Sequence, residues 1–307
     1  MLFNSYEFIF IFLPIVLLGF HLIGRQEYHR IAIAWLVGAS LFFYGWWNPA
    51  YLGLMLFSTL FNYSVGVLLG STLSGKLLKK IILTIGVSIN LLVLGYYKYA
   101  NFFVDSLNAI SGTNIVLHEV ILPLAISFFT FQQIAYLVDA YKDQAKEYNF
   151  LHYCLFVTFF PQLIAGPIVH HKEILPQFLK DTAYKVCSKN LAIGITIFAL
   201  GLFKKVVVAD NLAPYVDIVF ENQEIYGGLV NVIAIVFFAF QIYCDFSGYS
   251  NMAIGLAKMF GFDLMQNFNV PYFATTLKSF WQKWHISLST WFRDYVYIPL
   301  GGNRAGK

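Results

Sequence analysis

Residues 31–75 contain no Asp, Glu, Lys or Arg. An uncharged stretch that long constrains the fold more than any other feature of the chain. It is too long for one buried soluble helix, and a bilayer core takes about 20 mostly apolar residues per helix. Asn48-Pro49 offers a place for it to fold back. Further charge-free runs cover 8–24, 81–97, 120–138, 148–171 and 225–244. A soluble core does not need so many, so the chain reads as an all-α polytopic membrane protein. Composition agrees: 59% of the 307 residues are apolar and 12% charged, and mean hydropathy is +0.65.

The first run lacks the features of a cleavable leader. Glu7 is its only early charge, and no small-x-small site follows. It reads as a retained anchor. Spans near 8–23, 31–47, 51–69, 81–97 and 120–139, with 151–169 returning to the side it left, sort the basic residues. One side receives Arg25 and Arg30, Lys76, Lys79 and Lys80, Lys142 and Lys146, then Lys172, Lys180, Lys185 and Lys189. The opposite connections carry only Lys98. The positive-inside rule then places the N-terminus outside. Lys204 and Lys205 lie near a span end, where they can snorkel to either surface.

Cys154, Cys187 and Cys244 are scattered, without CxxC spacing, and read as buried apolar residues. There is no internal repeat, low-complexity segment or soluble domain. Two stretches make poor simple spans. Residues 151–169 carry Pro161 and Gly166-Pro167. Proline removes a backbone donor, and bent backbone at membrane depth survives only where protein or a water-filled cavity supplies partners. A broken or re-entrant element is expected, with a plain kinked span as the alternative. Residues 281–300 alternate aromatic and polar side chains before Pro299 and Gly301-Gly302.

The polar residues of WQKWHISLSTWFRDYVYIPLGGNR (281–304) are candidate chemistry. An imidazole titrates near neutral pH and can take and return a hydroxyl proton. On a helix, His285 would have Trp281, Trp284, Leu288 and Ser289 as neighbours, with Ser287 and Ser289 offering hydrogen bonds. A structural histidine in an aromatic belt is the competing reading. Arg293 and Asp294 would point apart on one helix. Arg293 suits a phosphate or carboxylate, or a membrane-surface anchor, and Asp294 a basic group elsewhere. Asp245, among Gln241, Ser247, Tyr249, Ser250 and Asn251, predicts a helix break with an interior polar network, because a carboxylate at depth must find donors or stay protonated. Asp139 reads as interfacial. His170-His171 point in different directions on a helix and lack zinc-ligand spacing. Residues 70–77 (GSTLSGKL) approach a P-loop but place Leu77 where a magnesium-binding hydroxyl belongs, with no preceding strand. There is no GxSxG elbow, and no basic face suits nucleic acid.

Three ordered stretches carry a specific resemblance: FFPQLIAGPIVHHKEILPQF (159–178), YCDFSGYSNMAIGLAKMFGF (243–262) and FWQKWHISLSTWFRDYVYIPLGGN (280–303). The first 23 residues and 42–63 fit with them. The chain resembles the membrane-bound O-acyltransferase family, within it the branch of bacterial alginate O-acetylation proteins and the related D-alanyl transfer proteins of teichoic acid synthesis. That resemblance implies a ring of membrane helices around a thin, funnelled centre, in a bacterial inner membrane. An acyl group, acetyl foremost, would come from acetyl-CoA or an acyl-carrier thioester on the cytoplasmic side. It would pass to hydroxyls of an extracytoplasmic polysaccharide, directly or through a carrier, with periplasmic or extracellular helpers. No bound cofactor or metal is implied.

The family's WHxS position maps onto His285. Its main catalytic histidine lies in a later apolar helix, a context no other histidine here matches, so the resemblance implies that this second histidine falls beyond Lys307. Residues 1–307 would then be one membrane domain forming roughly the N-terminal two-thirds of such an enzyme. His285 would orient the later histidine or the donor. Trp281, Trp284 and Ser287 would shape the tunnel, with Pro167, Asp245, Arg293 and Asp294 completing the candidate set. Two other readings stay open: a transporter or flippase without covalent chemistry, and a non-catalytic, truncated paralogue serving as a scaffold.

Overall fold

The computed structural model describes residues 1–71, 75–116, 120–145 and 149–304. Lys146, part of the P-loop-like match (72–74), and Lys307, the residue beyond which the second histidine is expected, lie outside the described residues. Every regular element among the described residues is helical. A π-helical turn, Phe8–Phe12, leads into α1 (Leu13–Arg25). There follow α2 (His29–Gly45), α3 (Ala50–Gly70), α4 (Lys76–Ser111), α5 (Ile126–Tyr141), α6 (Phe150–Thr158), α7 (Phe160–Leu163) and α8 (His171–Phe178). A second π segment, Phe203–Ala209, joins α9 (Ser188–Leu202) to α10 (Asp210–Glu221). Then come α11 (Gly228–Met259), α12 (Leu277–Trp281), α13 (Ile286–Phe292) and a π turn at Arg293–Tyr297.

Five stretches are long and apolar enough to cross a bilayer: Phe8–Arg25, Ala50–Gly70, Lys76–Ser111, Ser188–Glu221 and Gly228–Met259. The chain is a multi-pass helical membrane protein. Two expected spans are shorter helices. α2 has 17 residues, and α5 starts only at Ile126 because Ala125 sits in left-handed backbone at φ 62°. The expected 81–97 span grows to 36 residues and ends where Gly112, at φ 67°, takes the left-handed cap. Asn101 and Asn108 do not end it, since their amides hydrogen-bond Val120 and Ile115 in the following loop. Cys154 and Cys244 are buried as expected, but Cys187 is exposed, because it stands in extended backbone at the N-cap of α9 rather than within a packed helix.

The chain divides into two compact units. One comprises 37–164 and 170–175. Its interior is stitched by amides: Asn62 and Asn90 exchange hydrogen bonds of 3.1 and 2.7 Å between α3 and α4. Gln133 of α5 donates to the Ser58 hydroxyl of α3 and accepts from Tyr153 of α6. Here the chain breaks as Pro161 demands. The Phe160 N–H turns to the Ser40 hydroxyl at 3.1 Å. The freed Phe156 carbonyl takes the Gln132 and Gln162 amides, each at 2.7 Å. The backbone groups opened at 156 and 160 thus regain partners, which a membrane interior requires. Asp139 is buried, 3% exposed, rather than interfacial, because α5 is packed on nearly all sides. His171 lies among the rings of Tyr136 and Phe156.

The other unit comprises 1–36, 165–169 and the chain from Pro176. Its backbone is an antiparallel hairpin of α9–α10 against α11. Glycines bring the arms together: a Cβ at Gly201 would stand 2.6 Å from the Gly248 carbonyl, and one at Gly255 would stand 2.6 Å from the Gly194 carbonyl. Close approach through small residues drives membrane helix packing, since lipid offers no hydrophobic force to do so. Because the clash is with backbone, Gly201→Val must push the arms apart. A loss of about 2–3 kcal/mol is expected, whereas the open Gly228→Ala, whose Cβ meets nothing, should be neutral or gain up to about 1 kcal/mol. Denaturant unfolding in detergent measures both.

Candidate active site

Within this second unit, α12 is capped by the Thr276 hydroxyl, which accepts the Ser279 N–H. The helix then stops, and His285 sits alone in left-handed backbone, φ 43° and ψ 57°, at the N-cap of α13. The poor span expected over 281–300 is broken at this point, so the helical spacing considered for His285 does not run through it. Of the neighbours at helical spacing, Ser289 stays close through its backbone, its N–H reaching the His285 carbonyl at 3.1 Å, but the ring packs against Phe246, edge-on at 4.7 Å, and Phe268, parallel at 6.5 Å. A non-glycine residue in this conformation is strained and persists only where its surroundings hold it.

Asn267 does the holding. Fully buried, it accepts the Ile286 N–H on its carbonyl and the Ser287 N–H on its side chain, and its amide donates to the Ser250 hydroxyl of α11. Ser287 in turn accepts the Ile168 N–H at 3.1 Å. Pro167 is therefore one residue from a direct tie to the His285 turn. Its own ring has no N–H to give, so the next residue makes the bond.

The imidazole Nε2 of His285 is buried with no hydrogen-bond partner among the described residues. Burial lowers the pKa of His285 from 6.5 to about 4, so the ring is neutral at physiological pH, with one nitrogen able to accept a proton or hydrogen bond. The sign of the pH effect follows. Between about pH 4 and 6.5 the unfolded chain binds a proton that the folded one refuses, so stability is complete above 6.5 and falls as pH drops towards 4. The unfolding midpoint in detergent should fall over that window in the wild type, and less in His285→Asn.

Trp284 belongs to the same aromatic cluster. It stacks on Phe280 at 5.6 Å and Tyr272 at 6.1 Å, and meets Phe268 edge-on at 5.1 Å. Trp281 does not join the His285 wall: it is 58% exposed and touches the cluster only through the edge of Phe280.

Two further expectations are corrected. Arg293 and Asp294 do not point apart; Nε of Arg293 donates to Asp294 at 2.7 Å, because a π turn begins there and the long arginine folds onto its neighbour. The pair occupies the Nε/Nη2 edge of the guanidinium, and among the described residues Asp294 pairs with no basic group on another element. Asp245 does not break its helix either. α11 runs unbroken from 228 to 259, and Asp245 meets Lys205 at 2.7 Å while the same ammonium donates to Asp210 at 2.6 Å. The π segment Phe203–Ala209 sets this up, with Lys204 over the Tyr243 ring at 5.8 Å and Lys205 at Asp245.

The structure thus gathers His285, Trp284, Ser287 and Pro167, and leaves Trp281, Arg293–Asp294 and Asp245 outside that group. Sequence reasoning missed Asn267, Phe246 and Phe268. Asn267, in FDLMQNFNVPYF (262–273), gave no signal, because its role depends on a turn formed well after it in the chain.

These features define a class: a multi-pass helical membrane protein with a neutral, half-buried histidine, its Nε2 enclosed, on a strained turn between short aromatic helices. Residues 80–307 match the membrane-bound O-acyltransferase family, and the chain belongs to it. It is similar to the peptidoglycan O-acetyltransferase of Helicobacter pylori, 43% identical over 99% of this chain and 62% of that protein. It is equally similar, 43% over 99% of this chain and 60% of the relative, to the probable alginate O-acetylase AlgI of Azotobacter vinelandii. The teichoic acid D-alanyltransferase of Bacillus subtilis is 30% identical over 59% of this chain and 46% of its own length. The chain spans about three-fifths of the length of the first two.

Proposed function

We propose that this chain serves a membrane-bound O-acyltransferase that moves an acetyl group from a cytoplasmic thioester, acetyl-CoA or an acyl carrier, onto a hydroxyl of an extracytoplasmic glycan. The observation that carries this reading is near-complete coverage of the chain by two polysaccharide O-acetylation proteins at 43% identity. We read residues 1–307 as a single membrane domain of the bacterial inner membrane, with the basic loops in the cytoplasm and the N-terminus outside. The second histidine of the reaction, expected beyond Lys307, belongs to this proposal. Periplasmic or extracellular helpers would receive or present the glycan.

The chemistry has a simple balance. The acceptor oxygen forms a bond to the acyl carbon, the carbon–sulfur bond breaks, and the hydroxyl proton ends on the departing thiolate. Catalysis needs a group to accept that proton, donors for the developing oxyanion, and little water to steal the acyl group. A neutral His285 with an unpartnered Nε2 suits the first need, either directly or by holding another base in place. Trp284 and Phe268 form the apolar wall, and Ser287 with Pro167 fixes the turn. In our reading Trp281 meets substrate or lipid at the mouth. Arg293 and Asp294 act as a self-neutralised pair beside it, and Asp245 acts through the helix that carries Phe246.

The test places residues 1–307 in the matching portion of the Azotobacter vinelandii relative and measures acetyl esters on exported polysaccharide. Ester formation that needs His285 supports the reading. Export of unmodified glycan, with or without His285, would discard it.

A further inference from the structure

A cavity of about 690 Å³ opens between the turn after α1 and the stretch before α9. Arg25, Glu27, His29, Asp181, Lys185 and Val186 line it. Its level in the membrane follows from its neighbours. One candidate span ends at Arg25 and another begins at Ser188, so the cavity lies where two spans emerge into water. Val186, 61% exposed, puts an apolar side chain in its lining, and Leu22 and Leu179, also more than 60% exposed, stand three residues before Arg25 and two before Asp181 in the chain. Its floor is fixed, since His29 lies flat on Tyr184, ring centroids 4.2 Å apart, and faces Asp181 at 3.5 Å. The Tyr184 hydroxyl is tied to the Phe178 carbonyl at 2.6 Å, and Gly24 lets that backbone come close, for a Cβ there would stand 2.9 Å from the Tyr184 carbonyl.

The lining carries both signs. Arg25 and Lys185 want an anion, and Glu27 and Asp181 want a cation with hydrogens to donate. A purely anionic ligand would face two carboxylates, and a quaternary ammonium would offer them no N–H. We propose that this cavity holds the head group of a membrane lipid that joins a phosphate to a primary ammonium, a phosphoethanolamine group. The phosphate sits on Arg25 and Lys185, the ammonium on Glu27 and Asp181, and the acyl chains pass over the Leu22, Leu179 and Val186 side chains. Charge-assisted hydrogen bonds at both ends give the selectivity. The site is independent of the acyl-transfer reading.

The test is native mass spectrometry of the protein released from nanodiscs holding equal phosphatidylethanolamine, phosphatidylcholine and phosphatidylglycerol with identical acyl chains. The expected result is a retained phosphatidylethanolamine favoured about tenfold over each of the others, the equivalent of one or two charge-assisted bonds. Glu27→Gln with Asp181→Asn should bring it down to the phosphatidylcholine level. Arg25→Gln with Lys185→Gln should lower retention of all three. The exposed single substitution Glu27→Gln, with helicity checked by circular dichroism, covers the case of a double variant that folds poorly. Equal retention of phosphatidylethanolamine and phosphatidylcholine, a preference for phosphatidylglycerol, or a preference unmoved by the carboxylate substitutions would overturn the proposal. So would soluble glycerophosphoethanolamine displacing the lipid at equal concentration, which would make the membrane source wrong.

Discussion

His285→Asn should reduce acetyl transfer by about 10²- to 10⁴-fold, the range a positioned proton-handling group supplies, while leaving the fold nearly intact. Asparagine is the informative replacement because it tolerates left-handed backbone better than most residues, and position 285 needs that at φ 43°. It keeps a hydrogen-bonding side chain but cannot take the proton. His285→Ala loses the same chemistry and adds backbone strain on the order of 1 kcal/mol, so it should lower both activity and unfolding midpoint. The two replacements together separate catalysis from folding. Activity of His285→Asn within about threefold of wild type, far short of what proton transfer supplies, would remove the imidazole from the reaction. Wild-type activity should also show no titration of this ring between about pH 6 and 8, because burial holds its pKa near 4.

How much of this was legible in the sequence depends on how far each interaction reaches along the chain. Charge-free runs marked four of the five membrane-competent helices because transfer into lipid is decided by local composition; Ser188–Glu221 escaped them because it carries Lys204, Lys205 and Asp210, and the runs 120–138 and 148–171 fold into shorter or broken helices. The break at 158–167 was legible because proline and glycine act on their own backbone. The geometry around His285 was not. Helical spacing supplied Trp281 and Ser289 as its neighbours, yet the turn is set by Asn267 and faced by Phe246, residues that only tertiary packing brings near. Asp245 misled for the same reason. Without a visible partner, a carboxylate in an apolar run predicts a break. Its partner Lys205 stands far earlier in the chain and reads, from sequence, as free to snorkel. Lys205 reaches Asp245 only because the two arms of the hairpin meet at glycines.

That ion cluster carries the largest stability effect we expect. Any window of about 20 residues, the length a bilayer core requires, taken from Ser188–Glu221 includes Lys205. Any such window from Gly228–Met259 includes Asp245. However the hairpin is set in the membrane, both charges fall within its spanning segments. There an unpartnered charge is costly, although the pair is partly exposed, with Lys205 at 27% and Asp245 at 53%. Lys205→Ala leaves Asp210 and Asp245 without their shared cation and should cost about 3 kcal/mol, the low end of the penalty for stranding a buried partner, because both carboxylates are more than a third exposed. Lys205→Arg keeps the charge and should cost under about 1 kcal/mol. Replacing all three at once, Lys205→Met with Asp210→Leu and Asp245→Leu, should recover most of the loss, because an ion cluster exchanged for apolar groups of similar size is often neutral. Reversible unfolding in mixed detergent measures the series. A Lys205→Ala protein as stable as wild type would mean that water, not lipid or protein, surrounds these carboxylates, and the α11 face bearing Asp245 would then line an aqueous recess within the membrane.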